Sequence, residues 1–141
     1  GRGDCLLWLW ACWPTLRESI ALMEAWGFRY VTGGAWHKRS KHGKSAFGTG
    51  YVMRSATEPF LIGTLGSPLT ARNVRNVIET QDLDVIDAVR REHSRKPDEQ
   101  YAMCEQLVPR GLRFVELFAR QQHPGWDVWG NQTDHFMEAV A

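Results

Sequence analysis

The sequence predicts an α/β fold, in which helices pack on a largely parallel sheet. The first observation is a strand–helix–strand order over residues 5–36, which is the βαβ unit of such sheets. The second is the uninterrupted apolar run at residues 5–11. Strands that are covered on both faces have no polar alternate positions, so this run indicates a buried strand of a parallel sheet.

A helix is predicted to follow this first strand. Thr15 and Glu18 have the spacing of a capping box, in which both side chains bond to free backbone N–H groups. Gly27 favours the end of the helix, and a second strand is predicted from Phe28 to Trp36. Four apolar residues between these signals keep helical spacing: Leu16, Ile20, Met23 and Trp26.

The segment 33–57 has no acidic residue and predicts contact with nucleic acid. A basic loop that contains glycines and aromatic rings is suited to phosphate contacts and base stacking. The net charge of the chain is only +1, so affinity for nucleic acid must come from a local patch of this kind. The alternative is a solvated loop whose lysines bind nothing. The basic residues of the segment are Lys38, Arg39, Lys41, Lys44 and Arg54, and Tyr51 is one of its aromatic residues.

A third strand is predicted from Phe60 to Thr64, directly after Glu58-Pro59. Glu58 is the acid at the end of the basic loop. It either accepts a hydrogen bond from a base amino group or pairs with Arg54. Residues 70–82 are expected to be irregular, and the apolar residues at 85–89 are expected to form a short strand or a helical turn.

A second helix is predicted to begin at Pro97 and to end before Pro109. Proline favours the first turn of a helix, and Asp98 and Glu99 complement the positive end of its dipole. Lys96 precedes this first turn, where its side chain can turn back towards the strand ends. The alternative for Lys96 is a solvated surface lysine.

The last predicted strand, residues 114–118, holds one acid, Glu116, and ends in a polar loop. Ligands of open α/β sheets bind beyond the carboxyl ends of the strands. An acid at that end can accept hydrogen bonds from ribose hydroxyls, and Arg120, Asn131 and Gln132 offer further donors and acceptors. The alternative is a buried strand followed by a solvated loop.

Length and composition predict a single domain, residues 1–141, without a membrane span. The longest apolar run, residues 5–13, is too short to cross a bilayer. Three cysteines without metal-ligand spacing predict reduced core thiols of a cytoplasmic protein and no metal site. Because the chain enters a core strand within a few residues of Gly1, we expect the fold to be N-terminally incomplete.

Short segments along nearly the whole chain form one ordered series. They are Leu-Leu-Trp-Leu-Trp-Ala at 6–11, Glu-Ala-Trp-Gly-Phe at 24–28, Trp36 with Lys38, Gly-Thr-Gly-Tyr at 48–51, Glu-Pro-Phe-Leu-Ile-Gly at 58–63, His-Ser-Arg-Lys-Pro-Asp-Glu at 93–99, Glu-Leu-Phe-Ala-Arg at 116–120, Pro-Gly-Trp at 124–126 and Trp-Gly-Asn-Gln at 129–132. In this order and spacing the series resembles the adenine-N(6) methyltransferases typified by the catalytic subunit of the messenger-RNA adenosine methylase. The resemblance is closest to bacterial and phage members.

The resemblance implies a permuted Rossmann-like fold that binds S-adenosylmethionine and methylates the exocyclic amino group of adenine in DNA, with RNA as the less favoured substrate. It implies that Lys96 reaches the methionine carboxylate. The other implied cofactor contacts are Glu116, Leu117, Phe118, Arg120, His123 or Gln122, Asn131 and Gln132. The implied substrate contacts are Lys38, Arg39, Lys41, Lys44, Tyr51, Arg54 and Glu58.

Two features depart from the wider family pattern. Ala-Arg-Gln follows Phe118, where many other permuted amino-methyltransferases have a glycine-rich turn. The catalytic tetrad Asp-Pro-Pro-Trp does not occur in these residues and is expected upstream of Asp4. The catalytic residues are therefore not identified, and we expect the 141 residues alone to be inactive. The alternative function is that of a catalytically inactive, nucleic-acid-binding partner or remnant of such an enzyme. Either function is compatible with a homo- or heterodimer.

Overall fold

The computed structural model describes residues 3–39, 52–53, 56–71, 74, 77–78, 87–89 and 95–136. The backbone forms two compact units, Gly1–Pro109 and Arg110–Ala141, which we call the first and the second unit and describe separately. The single domain predicted for residues 1–141 stays a prediction.

The described residues of the first unit form a sheet and two helices. Its helices are α1 (Leu16–Ala25) and α2 (Glu99–Leu107), and a short 3-10 turn (Trp13–Thr15) precedes α1. The predicted helices and long strands are therefore present, with β2 extending three residues beyond the predicted Trp36. The strands are β1 (Cys5–Trp10), β2 (Arg29–Arg39), β3 (Thr57–Leu65), β4 (Val77–Ile78) and β5 (Asp87–Val89).

The sheet is mixed rather than largely parallel. β3 lies between β1 and β2 and is antiparallel to both. β1 and β2 therefore run in the same direction without pairing, and only the short β4 and β5 pair with β2 in parallel. The prediction that β1 pairs with parallel neighbours is wrong. Burial on both faces of a strand determines that its side chains are apolar, but it does not determine the direction of the strand beside it.

Both faces of β1 are covered, which explains its uninterrupted apolar run. The two faces belong to separate core clusters. One cluster contains Leu6, Trp8 and Trp10 together with Trp36, Phe60, Ile62 and Met103 of α2. The other contains Leu7 and Leu9 together with Leu61 and Met23 of α1. The helices thus contribute to opposite faces of the sheet.

Gly63 of β3 allows α1 to pack closely on the sheet. A Cβ atom at this position would lie 2.6 Å from Sδ of Met23, a distance that side chains do not tolerate. Met23 is fully buried. A larger residue at position 63 would therefore require the Met23 side chain to move.

α1 begins at the predicted place but without the predicted capping box. Thr15 is the N-cap residue, and its side chain makes no capping hydrogen bond. The reason is its backbone, since ψ of 25° lies outside the extended region that an N-cap needs. The predicted stop at Gly27 is confirmed, because its φ is +87° and its N–H donates to the Glu24 carbonyl at 2.9 Å.

The cysteines differ from the prediction of core thiols. Cys5 and Cys12 are exposed, and Cys104 is partly buried. The prediction is wrong for Cys5 and Cys12, which lie at or beyond the two ends of β1 and not inside the core. Neither helix in the described part of the chain has the length and apolar character that a membrane crossing requires.

In the second unit, the described residues 110–136 form two parallel strands, β6 (Phe114–Leu117) and β7 (Trp126–Trp129). β6 was predicted, whereas the residues of β7 were assigned to the loop that follows β6. The rings of Phe114 and Trp126, which are paired in the register, stack at 4.8 Å. The contact between these two rings explains why residues 126–129 pair with β6, which the residue types of this short segment do not indicate.

Candidate functional site

The carboxyl ends of β1 and β2 present side chains on the same face of the sheet. Trp10, the last residue of β1, pairs with Phe60 of β3, and Trp36 near the end of β2 pairs with Glu58. Opposite residues of antiparallel strands point to the same side. Trp10, Trp36 and Glu58 therefore share a face, and the two indole rings meet edge to face at 6.1 Å.

Glu58 binds two lysines. Its Oε2 lies 3.1 Å from Nζ of Lys38, and its Oε1 accepts a hydrogen bond from Nζ of Lys96. The side chains are 14% exposed for Glu58 and 26% for each lysine, so water screens these pairs less than it screens surface pairs. The structure thus brings together a predicted cofactor residue and two predicted substrate residues, which we call the Lys38–Glu58–Lys96 cluster.

Each lysine of the cluster also lies over a tryptophan ring. Nζ of Lys96 is 5.2 Å from the ring centre of Trp10, and Nζ of Lys38 is 5.6 Å from that of Trp36. The negative face of an indole ring attracts a cation at such distances. The rings themselves are fixed by the core, because Trp36 is 3% exposed. The cluster therefore combines one carboxylate, two cations and two aromatic faces.

The surroundings of Lys96 lower the pKa of its ammonium group. Burial, the largest cause, and the positive charge of Lys38 lower the pKa of Lys96 from 10.5 to about 8, while Cys12 acts in the opposite direction. Desolvation disfavours the charged form of an amine, as does a neighbouring cation. Lys96 is therefore still mostly charged at neutral pH, but its pKa lies only slightly above that pH.

The start of α2 delivers Lys96 to this place. Pro97 follows Lys96 directly and is buried. The N–H of Gln100 donates to the Pro97 carbonyl at 3.2 Å and that of Tyr101 to the Asp98 carbonyl at 3.1 Å, which begins the helix. The prediction that Lys96 turns back towards the strand ends is confirmed by its contacts with Glu58 and Trp10; the surface alternative is wrong.

The remaining predicted substrate residues are not tested. Arg39 ends β2, but its side chain lies outside the described residues. The same holds for the whole of Lys41, Lys44, Tyr51 and Arg54. Their contacts with nucleic acid stay a prediction, as does the suggested pairing of Glu58 with Arg54.

In the second unit, the turns after β6 and β7 pack against each other. The N–H of Ala119 donates to the Trp129 carbonyl at 3.0 Å, and Ala119 is 1% exposed. A Cβ atom at Gly130, whose φ is +156°, would lie 3.1 Å from the Ala119 nitrogen, so glycine permits the close approach. Asn131 and Gln132 follow directly, and both are exposed.

The chain after β7 then folds back on the turn after β6. The guanidinium of Arg120 lies 4.3 Å from the ring centre of Phe136, whose N–H donates to the Arg120 carbonyl at 2.9 Å. Nε2 of Gln122 donates to Asp134 at 3.0 Å. The predicted residues Arg120, Asn131 and Gln132 are thus brought into one pair of packed turns at the carboxyl ends of parallel strands.

The residues of the β6 end do not all face one ligand. Glu116 is partly buried, whereas its neighbour Leu117 points to the other side of the strand pair and is 54% exposed. Phe118 has a φ of +60° and is 72% exposed. His123 is partly buried and meets the Trp126 ring edge on at 6.1 Å. No single ligand position in the second unit is therefore implied by all four residues.

The predicted cofactor site draws on both units. Lys96 belongs to the first unit, and Arg120, Asn131 and Gln132 belong to the second, so their joint use stays a prediction. Sequence reasoning missed Gln100 and Phe136, which contact Trp10 and Arg120. Lys96 precedes α2, so helical spacing relates it to neither residue, and the sequence holds no signal for Gln100 or Phe136.

The sequence of this chain matches the MT-A70 family over residues 2–132. The chain belongs to the MT-A70 family. N(6)-adenosine-methyltransferase MT-A70-like from Arabidopsis thaliana is 38% identical over 133 residues, which cover 92% of this chain and 18% of the plant protein. Type II methyltransferase M.MunI from a Mycoplasma species is 35% identical over 133 residues, with 90% and 50% covered. The human N(6)-adenosine-methyltransferase catalytic subunit METTL3 is 33% identical over 137 residues, with 94% and 22% covered.

The family resemblance drawn from the sequence is therefore confirmed. MT-A70 proteins are methyltransferases that use S-adenosylmethionine. The chain spans between 18% and 50% of the length of the three relatives.

Proposed function

We propose that this MT-A70 chain forms part of an enzyme with a permuted Rossmann-like fold that transfers a methyl group from S-adenosylmethionine to the exocyclic amino group of adenine in a nucleic acid. One observation carries the proposal. In the Lys38–Glu58–Lys96 cluster, a residue predicted to bind the cofactor meets two residues predicted to bind the target base. Family membership supports the reaction class.

DNA is the nucleic acid that we propose first. The short motifs of the sequence are those expected of bacterial and phage members, and of the three relatives named above the chain covers the largest share, 50%, of M.MunI. The relatives from Arabidopsis and human are named for adenosine, which supports RNA instead. Adenine in a duplex must be extruded before its amino group can react, whereas a single strand offers it directly. Both forms of both nucleic acids are therefore needed in the test.

The donor groups of the chain suit the proposed cofactor. An ammonium has three N–H donors, so Lys96 can keep its bond to Glu58 and also bind a carboxylate. Arg120, Asn131 and Gln132 present charged and amide groups that match ribose hydroxyls and an adenine edge. Bound S-adenosylmethionine would supply a methyl group on a sulfonium. The task of these residues is to hold that group in a fixed orientation, and orientation alone can supply about 7–11 kcal/mol.

Glu58 would act on the target side of the site. Its carboxylate can accept a hydrogen bond from the adenine amino group, while Lys38 and Lys96 compensate its charge. Because the Glu58 side chain is 14% exposed, its position is restricted and few water molecules compete for hydrogen bonds to its oxygen atoms. It would orient the amino nitrogen.

Calorimetric titration with S-adenosylmethionine tests the cofactor part. Lys96→Met is expected to raise the Kd by about 10-fold or more, because it removes a charge-assisted hydrogen bond. Arg17→Met, an equal change on the exposed surface of α1, is the matched control and should bind as the unaltered chain does. Equal affinities for Lys96→Met and Arg17→Met would refute the role of Lys96.

Transfer of a labelled methyl group tests the reaction. A longer protein that contains this chain and the Asp-Pro-Pro-Trp tetrad is expected to label adenine in single-stranded or duplex DNA or RNA, with N(6)-methyladenine as the product found by mass spectrometry. The 141 residues alone are expected to label nothing. Labelling of another base, or of protein only, would overturn the proposed activity.

A further inference from the structure

The starting observation is a buried amide. Gln100, whose side chain is a carboxamide, is buried at 8% exposure. Burying an amide costs free energy unless it is hydrogen-bonded. The partner of Gln100 is the indole Nε1–H of Trp10, which donates to its Oε1 from the end of β1. This bond joins α2 to the sheet.

The second observation is the place of the Trp10 ring. Its neighbours on the sheet are aromatic and meet it at an angle: Trp8 at 5.8 Å, Phe60 at 5.6 Å and Trp36 at 6.1 Å. Such contacts fill space but tolerate rotation of the ring. The hydrogen bond to Gln100 is directional and needs the N–H to point at one atom. Among the contacts named here, it is the one that sets the orientation of the indole.

The third observation is what lies on that ring. The Lys96 ammonium is 5.2 Å from its centre and bonds to Glu58 beyond it. Gln100 does not act on Lys96 directly. It fixes the indole, the indole face attracts the ammonium, and the ammonium reaches the carboxylate. Each step is a contact present in the first unit.

We propose that Gln100 is a positioning residue, which holds the Trp10 ring so that Lys96 is placed for the carboxylate of the cofactor. The inference rests on the proposed function for its last step only. Without the Gln100 oxygen, the indole N–H would be buried with no acceptor and the ring would turn towards water. Lys96 would then lose its contact with the indole ring and keep only its bond to Glu58. Its side chain would be less ordered before the cofactor binds, so binding would cost more conformational entropy.

The experiment uses one variant, one matched control and one rescue. Gln100→Leu removes the acceptor at similar size. Gln106→Leu makes the same change at an exposed site of α2. Gln100→Glu restores an oxygen acceptor. NMR reports the Trp10 indole N–H and the Lys96 Cε protons, whose resonances are shifted upfield while they lie over an aromatic ring. Calorimetry reports the Kd for S-adenosylmethionine.

We expect Gln100→Leu to move the indole N–H resonance, to reduce the upfield shift of Lys96 and to raise the Kd by about 3- to 10-fold. Gln106→Leu should change none of the three, and Gln100→Glu should restore the NMR signals. A Gln100→Leu protein with unaltered Lys96 resonances would overturn the inference. If circular dichroism shows that Gln100→Leu does not fold, the same NMR signals are measured in Gln100→Asn, whose amide is one methylene shorter.

The design separates this inference from the proposed function. If the unaltered chain binds no S-adenosylmethionine, the function fails, and the NMR signals still decide whether Gln100 positions Lys96. If the unaltered chain binds and Gln100→Leu binds equally well, the function stands and the positioning role is refuted.

Discussion

The two ends of the proposed cofactor site are built on different principles. Lys96 rests on a core that contains Trp36 at 3% and Phe60 at 2% exposure, and it contacts side chains from β1 and β3. Arg120 rests on a turn, with Phe136 as its aromatic contact. In the described part of the second unit, Ala119 is the one buried apolar residue. The lysine end therefore depends on long-range packing and the arginine end on local turns.

This difference has consequences for how each end responds to change. A residue held by a core has a fixed position and a shifted pKa, as Lys96 does. A residue held by turns keeps access to solvent and can follow a ligand. We expect mutations near Lys96 to affect folding and binding together, and mutations near Arg120 to affect binding with little loss of stability.

The largest expected effect comes from removing one large aromatic side chain from each unit and comparing the losses of stability. Phe60→Ala should lower the free energy of unfolding by about 3–5 kcal/mol, because Phe60 is buried and stacks on Trp8 at 3.9 Å. Phe114→Ala in the second unit should cost about 1–2 kcal/mol, since Phe114 is only partly buried against Trp126. Urea unfolding followed by circular dichroism measures both. Equal losses would show that the two units are equally well packed.

The next effect compares two ion pairs. Glu58→Gln should cost about 2–4 kcal/mol, because two largely buried ammonium groups lose their shared carboxylate. Asp127→Asn is the matched change in the second unit, where the side chains of Arg113 and Asp127 are 86% and 56% exposed. It should alter stability by less than about 0.5 kcal/mol. Thermal unfolding of both variants is the measurement, and a Glu58→Gln protein as stable as the unaltered chain would contradict the role of the cluster.

A pH titration tests the environment of Lys96. The folded protein holds its pKa at about 8, below the ordinary 10.5, so the unfolded chain binds more protons between these values. The free energy of unfolding should therefore rise with pH across this window, by at most about 1.4 kcal/mol per pH unit. The rise should be absent in Lys96→Met. Parallel curves for the two proteins between about pH 8 and 10.5 would show that Lys96 is not desolvated.

The smallest expected effect concerns the arginine end. Phe136→Leu removes the ring beneath Arg120 and should raise the Kd for S-adenosylmethionine by about 2- to 5-fold, with unchanged stability. Phe136→Trp keeps an aromatic face and should bind like the unaltered chain. Calorimetry and thermal unfolding together check this. A large loss of stability in Phe136→Leu would mean that Phe136 is part of a core and not a local support.

Sequence reasoning located the elements that have their own local signals. Periodic apolar residues and Gly27 located α1, and Pro97 with two acids located the start of α2. It missed β7, because Trp126–Trp129 has only four residues, and one polar residue among three apolar ones does not distinguish a strand from a loop. It also misjudged Thr15, whose backbone conformation is that of the last residue of a 3-10 turn and does not suit a capping box.

The amino-acid sequence by itself determined the family, the helices, most strands and the residue types that suit a sulfonium cofactor and a nucleic acid. Only the tertiary structure decided that β3 runs antiparallel between β1 and β2, and that Glu58 meets Lys38 and Lys96. The physical reason is the range of the interactions. Helix signals act over a few neighbouring residues, whereas strand order and a shared carboxylate depend on contacts between residues that lie 20 to 60 positions apart.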